Sequence, residues 1–226
     1  MFDGVSWTSD HPVANALIAA ANGQFPEVDG AAEIVAPDAA GTHAVVSFTG
    51  HSFVMTTLDP DRLTTFGIDG YGGAMDPHVL TWLAGAHGEV GSIDAVLVRR
   101  GTAPERDAGA SPPDLDQLDD LHDLDDHPRV QRARHHRRHV RVIGDDLGFV
   151  TIGQGLVDRT EVSIELTSAE HGAGTGRRLL TAALATIDGD QWVFAQVAPG
   201  NAASLRLFLA CGFVPIGSEV LIEHRP

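Results

Sequence analysis

One stretch constrains this chain more than any other. It is His171-Gly172-Ala173-Gly174-Thr175-Gly176-Arg177-Arg178-Leu179-Leu180, a glycine-rich loop that leaves a strand-like run and enters an apolar helix. Three glycines in five positions remove Cβ atoms where a chain must bend tightly or admit a ligand. The first N–H groups of a helix have no partner within it, and the helix dipole adds partial positive charge there. The loop is therefore suited to cradle phosphate or pyrophosphate. A flexible strand–helix turn is the plainer alternative. Two familiar phosphate loops are excluded. A P-loop needs Gly-Lys-Ser/Thr, and the chain has no lysine. The dinucleotide fingerprint needs glycines at its first, third and sixth positions. Counted from Gly172 the sixth is Arg177, and from Gly174 it is Leu179.

A second segment follows 25 residues after Gly176: Asn201-Ala-Ala-Ser204-Leu-Arg-Leu207-Phe208-Leu-Ala-Cys-Gly212-Phe213. Together the two segments resemble the GNAT superfamily of acetyl-CoA-dependent N-acetyltransferases. The family's loop, Arg/Gln-x-x-Gly-x-Gly/Ala, falls on His171, Gly174 and Gly176. Its downstream pattern of Asn-x-x-Ser/Ala, an apolar helix and Gly-Phe falls on Asn201, Ser204, Gly212 and Phe213. The strand Gln191–Val197 stands between them where the family expects one. The resemblance covers roughly residues 115–223. It implies an α/β (α+β) fold with a mixed, mostly antiparallel sheet flanked by helices, and acetyl-CoA as cosubstrate. Two positions depart from the family. His171 stands where Arg or Gln is usual, and Phe208 stands where many members carry a general-acid tyrosine. A phenyl ring has no proton to donate.

The resemblance also implies roles. His171, Gly172, Ala173, Gly174, Thr175, Gly176 and Arg177 would hold the pyrophosphate. A backbone N–H near Leu166 and Thr167 would polarise the thioester carbonyl. Such donors contribute ~3–4 kcal/mol to a developing oxyanion. Asn201 and Ser204 would meet the pantetheine arm or the leaving thiol, with Ser204 or water as proton source in place of a tyrosine. Alkyl amines have pKa values near ~10, so a bound acceptor must lose a proton before it attacks. Glu161, Ser163 and Glu165 alternate along Glu161–Thr167 and share one face of a strand. Glu161 or Glu165 is the candidate base, directly or through water; a solvent-facing strand residue is the alternative for each. Tyr71, the only tyrosine, is a substitute acid if its loop reaches the site. A module on the same fold that binds acetyl-CoA without turning it over is the competing function.

Composition narrows the setting. The formal charge of −16 opposes nucleic-acid binding, which needs a basic footprint, and favours cationic ligands. One cysteine, Cys211, precludes an internal disulfide framework and suits a reducing compartment. With no sequence-local base it reads as a buried, inert thiol. No apolar run approaches the ~20 residues that span a membrane, and no basic secretory start is present. The expectation is a cytoplasmic monomer or homodimer, free of membrane, nucleic acid and metal. Its acceptor is a small-molecule amine or a peptide N-terminus.

The chain divides at residues 101–113, rich in Gly, Pro, Ala and Ser. Residues 1–100 read as an N-terminal α/β unit and 114–226 as the acetyl-CoA-binding domain. The N-terminal unit has a helix over His11–Asn22 and a hairpin of Ala44–Phe48 with Phe53–Thr57. A helix capped by Asp76-Pro77 and a strand at Ile93–Val98 complete it. Its own glycine loop, Gly67–Gly73, makes it either a degenerate duplicate of the C-terminal half or an extension that shapes the acceptor pocket. In the second half, Leu115, Leu118, Leu121 and Leu124 recur among aspartates and suggest a short amphipathic helix. Six arginines and three histidines lie between 129 and 141. His135 and His139 stand four apart, a helical spacing compatible with a metal. The surrounding arginines repel a dication, so a solvated basic helix is the reading preferred, with the anionic cosubstrate as a further target for its charge.

Overall fold

The computed structural model describes residues 10–102, 119–121, 123–167 and 174–226. The chain is mixed α/β, with mostly antiparallel strand pairing and flanking helices. In chain order the elements are α1 (Pro12–Ala21), β1 (Ala32–Val35), β2 (His43–Phe48), β3 (His51–Met55), α2 (Pro60–Thr65), α3 (Pro77–Ala84), β4 (Glu89–Val90), β5 (Asp94–Arg100), β6 (Asp119–Asp120), α4 (Pro128–His136), β7 (Arg138–Asp145), β8 (Gly148–Gln154), β9 (Thr160–Leu166), α5 (Thr175–Leu184), β10 (Trp192–Val197), α6 (Ala202–Ala210) and β11 (Val214–Glu223). They form two compact units.

One unit comprises Ser9–Leu97, Gln196–Asn201 and Pro215–Pro226, so the last residues of the chain pack with the first half. The His11 ring accepts the Val13 N–H, at 3.2 Å, and starts α1 ahead of Pro12. Proline fits this place because its missing N–H would have had no helical partner. The expected hairpin is β2–β3, with Ser47 opposite Ser52, and β1 adds in parallel to β3. β11 joins the other side of β2 antiparallel, Val220 opposite Val45. Leu63 of α2 and Val79, Leu80 and Leu83 of α3 close one core against Val45, Val54, Val220 and Ile222. Asp76 caps α3 by accepting the His78 N–H at 2.8 Å. The glycine loop before it is held by Asp69, whose carboxylate accepts the Tyr71 and Gly73 N–H groups at 2.8 and 2.9 Å. Tyr71 is 70% exposed, its ring lying against Gly30 and Gly50.

The other unit comprises the described residues of Val98–Ala195 and Ala202–Val214. β7 and β8 form a hairpin, turning at Asp146-Leu147, and β9 continues it antiparallel with Ile164 opposite Val150. α4 covers them through Val130, which meets Val142 and Phe149. α5 buries Leu179, Leu180, Ala183 and Leu184. That spacing is the apolar stripe of an amphipathic helix.

Two expectations are corrected here. The acidic segment is not a helix where described: Asp119 and Asp120 form β6, paired antiparallel to Gly144 and Ile143. Leu121 and Leu124 instead pack on the Val130 cluster. Cross-strand pairing and that cluster outweighed a three-residue apolar period. Leu115 and Leu118 lie outside the described residues. The basic stretch does not stay helical either. α4 ends at His136, Arg137 is extended, and His139 sits in β7 at φ 52° in an irregularity of the β7–β8 pairing. His135 and His139 therefore do not share a helical face. Of the 101–113 segment only Gly101 and Thr102 are described; their N–H groups donate to Gln191 and Leu184 carbonyls.

Candidate active site

β9 carries the candidate bases, and its neighbours differ on its two sides. β8 pairs with it along its whole length, from Gln154 opposite Thr160 to Gly148 opposite Leu166. β10 pairs with it in parallel only at Val193–Thr160 and Phe194–Glu161. From Val162 to Leu166 the second edge of β9 thus lies beyond that register. Backbone donors and acceptors along such an edge are available to an extended partner that carries amide groups.

Glu161 and Glu165 share a strand face, about 13 Å apart at ~3.3 Å per residue, and occupy different surroundings. Glu161 is 3% exposed. Its carboxylate accepts from Arg137 Nε at 2.7 Å, Arg159 Nε at 2.9 Å and the Leu156 N–H at 3.3 Å. Arg159 is fully buried, its guanidinium 5.2 Å from the Phe194 ring centroid. Arg137 also donates to Thr151, whose hydroxyl lies 2.6 Å from that of Ser163. The Glu161 carboxylate stands so close to Gly155 that a Cβ there would fall 2.1 Å from it. It braces a turn in which Val157 and Asp158 adopt φ of 50° and 63°, conformations that cost an L-residue roughly 1–2 kcal/mol each. Glu161 is thus an internal brace for the β8–β9 turn.

Burial alone would raise the Glu161 carboxyl, but the Arg159 and Arg137 guanidiniums outweigh it and hold the group below its ordinary value of 4.5. A carboxylate depressed in the folded state stabilises the fold above its unfolded pKa. That contribution is present above pH ~4.5 and is lost as the pH falls through the folded value. The Glu161 contribution to the urea midpoint should therefore be constant from neutral pH to about 5 and fall below it. A Glu161→Gln variant should lose much of that acid dependence.

Glu165 is half-exposed and ion-paired with Arg129 Nε. It lines an open cleft of about 1130 Å³ with Leu166, Thr167, Leu121, Leu124 and Phe149. Thr167 fixes the end of β9 to the hairpin turn: its N–H donates to the Leu147 carbonyl and its hydroxyl to that of Asp146, both at 3.0 Å. Arg129, Arg137 and Arg159 were not legible as site residues. The sequence displays a basic run but not its targets; two of its arginines, Arg129 and Arg137, meet Glu165 and Glu161.

α5 begins beyond the glycine loop. His171, Gly172 and Ala173 lie outside the described residues. Gly174 is the N-cap at φ 83°, a left-handed position that glycine takes without strain. Among the described residues no side chain caps the helix. Thr175 is buried and Arg177 is exposed, while Arg178 pairs with Asp145 at 2.5 Å. Gly176 faces protein: an added Cβ would lie 3.1 Å from Leu207 of α6 and 3.5 Å from Leu166 of β9. Gly176→Val should therefore lower stability by about 1–3 kcal/mol through overpacking, read from denaturant unfolding. An unchanged midpoint would show that Leu207 yields freely.

Ser204 is half-buried in the first turn of α6. Asn201 is exposed just before that helix, its N–H donating to Ala198 at 2.8 Å. Phe208 is 3% exposed and stands edge-on to Phe213 at 5.0 Å between centroids. It is a core residue. Burial pushes the Cys211 thiol up, against smaller opposing effects of Arg177, Arg99 and Thr181, in keeping with an inert cysteine. Among the described residues no helix is long and apolar enough to cross a membrane.

Solved structures offer weak likenesses. One described as a GNAT-family acetyltransferase from Novosphingobium aromaticivorans is 14% identical, with a TM-score of 0.41, covering 62% of this chain and 69% of its own. A conserved protein of unknown function from Staphylococcus epidermidis is 13% identical at TM-score 0.40, covering 65% and 66%. A GCN5-related N-acetyltransferase from Kribbella flavida is 16% identical at TM-score 0.38, covering 68% and 64%. No protein-family model matches the sequence, and no curated protein matches it.

Proposed function

We propose that the chain is an N-acetyltransferase that moves an acetyl group from acetyl-CoA to an amine by direct attack, in the manner of the GNAT superfamily its motifs resemble. The observation that carries this reading is the short parallel register of β9 with β10. It ends at Glu161 and leaves a strand edge that leads, through Leu166, to the glycine-capped start of α5. The chain's groups fit the cosubstrate: amide donors along an edge for an amide-bearing arm, and helix N–H groups that no described side chain caps for phosphate. When bound, acetyl-CoA supplies an acetyl group on a thioester. Thr175, Gly176 and Arg177 open the helix that would hold its phosphates. Leu166 supplies backbone at the end of the edge, whereas the Thr167 N–H is already given to the Leu147 carbonyl, and Asn201 and Ser204 stand at the start of α6.

Glu165 is the carboxylate we assign to the acceptor. It lies in a cleft open to solvent, whereas Glu161 is sealed between two guanidiniums. Glu165 takes the proton that the acceptor's ammonium must lose before its nitrogen can attack. As the new C–N bond forms and the C–S bond breaks, the nitrogen sheds its second proton to Ser204 or water, which passes a proton on to the leaving sulfur. We place the reaction in the cytoplasm. A second reading is favoured by Phe208: with no proton donor there, the chain would bind acetyl-CoA without turnover. Thiol release from acetyl-CoA over a panel of amines separates the two. Amine-dependent release supports transfer, whereas binding with no release for any amine supports the second reading.

A further inference from the structure

We propose that Arg129 determines acceptor specificity: it holds Glu165 as a resident cation, and an acceptor bearing two or more ammonium groups displaces it. The inference rests on the assignment of Glu165 to the acceptor and concerns which amines reach it. The Arg129–Glu165 pair can exchange. Its side chains are 39% and 37% exposed, against 10% for Arg137 and 0% for Arg159 around Glu161. An arriving ammonium therefore replaces one half-solvated cation with another and opens no core.

The walls of the same cleft decide the outcome of that exchange. Asp120 and Asp145 also line it, and each already holds an arginine, Arg141 at 3.4 Å and Arg178 at 2.5 Å. Asp123 and Asp146 line it too, and neither has an ion pair among the described residues. A monoammonium that displaces Arg129 trades one ion pair for another and gains little. A second ammonium on Asp123 or Asp146 adds an attraction that Arg129 does not offer. Leu121, Leu124 and Phe149 supply apolar surface between the carboxylates for a chain of methylenes. The chemistry selected is an alkyl di- or polyamine, and selectivity arises as a difference between two cations for one carboxylate.

The test is calorimetric titration with spermidine in the absence of acetyl-CoA, with butylamine as the monoamine. Wild type should bind spermidine more tightly than butylamine. Arg129→Ala should tighten spermidine by about 2- to 5-fold, the scale of a partly exposed ion pair. Arg134→Ala is the control: it lies on the same helix, pairs with Asp125 at 2.7 Å and does not line the cleft; it should change nothing. Glu165→Gln should weaken binding and erase the effect of Arg129→Ala, as coupling between two contacting groups requires. Equal effects of the two arginine variants, an Arg129→Ala effect that persists in Glu165→Gln, or no spermidine binding to wild type and Arg129→Ala alike would overturn the proposal. The readout needs no acetyl-CoA. Spermidine binding with this pattern but no acetyl transfer would defeat the proposed reaction alone. Transfer to monoamines indifferent to Arg129 would defeat this inference alone.

Discussion

Replacing Glu161 by alanine should lower the unfolding free energy by about 3–5 kcal/mol, the usual loss when one partner is removed from a buried ion pair. The reason is local. Arg159 is fully buried and Arg137 nearly so. Without the carboxylate, two guanidiniums face one another out of water. The left-handed Val157-Asp158 turn also loses the acceptor of its Leu156 N–H. Glu161→Gln keeps the shape but not the charge, and should be nearly as damaging. Urea unfolding followed by circular dichroism measures both. A loss under about 1 kcal/mol, the range of an exposed pair, would mean that Glu161 is hydrated and not a brace.

Glu165→Gln should do the reverse. Stability should move by less than about 1 kcal/mol, because its pair with Arg129 is half-exposed. The rate of acetyl transfer should fall by ~10²–10⁴, the usual contribution of a general base. Binding of acetyl-CoA should be nearly unchanged. The deficit should narrow as the pH approaches the amine's own pKa near ~10, where the acceptor arrives already deprotonated. Steady-state rates across that range, set beside the unfolding curves of both variants, separate a brace from a base. Full activity in Glu165→Gln at neutral pH would remove it from the chemistry.

What was legible in the sequence follows the local signals. The hairpin around Thr49-Gly50, the Asp76-Pro77 cap and the alternation of Glu161, Ser163 and Glu165 each rest on a few neighbouring residues, and each stands in the structure. The motifs that spell the resemblance also bracket their helices: α5 begins within the glycine loop, and α6 begins one residue after Asn201 and ends two before Gly212. Long-range pairing was not legible. Residues 119–120 form a strand because β7 is there to receive them. His139 leaves the helical register because β7 starts at Arg138. The equal candidacy of Glu161 and Glu165 had the same origin. Alternation assigns both to one face, and only the arginines brought from 129, 137 and 159 distinguish them. Phe208 is the converse case: its identity excludes an acid, and the structure adds that its ring is core, against Phe213.

The central claim is that β9 and the start of α5 together receive acetyl-CoA. Thermal unfolding at increasing acetyl-CoA tests it most directly, because a ligand selective for the folded state stabilises it by mass action, by about 2.7 kcal/mol at a hundredfold excess over Kd. The expected result is a melting temperature that climbs with concentration in wild type. In Gly174→Val, whose left-handed N-cap strains any β-branched side chain, the climb should be much weaker. A melting temperature indifferent to acetyl-CoA in wild type, or an equal climb in both proteins, would contradict it.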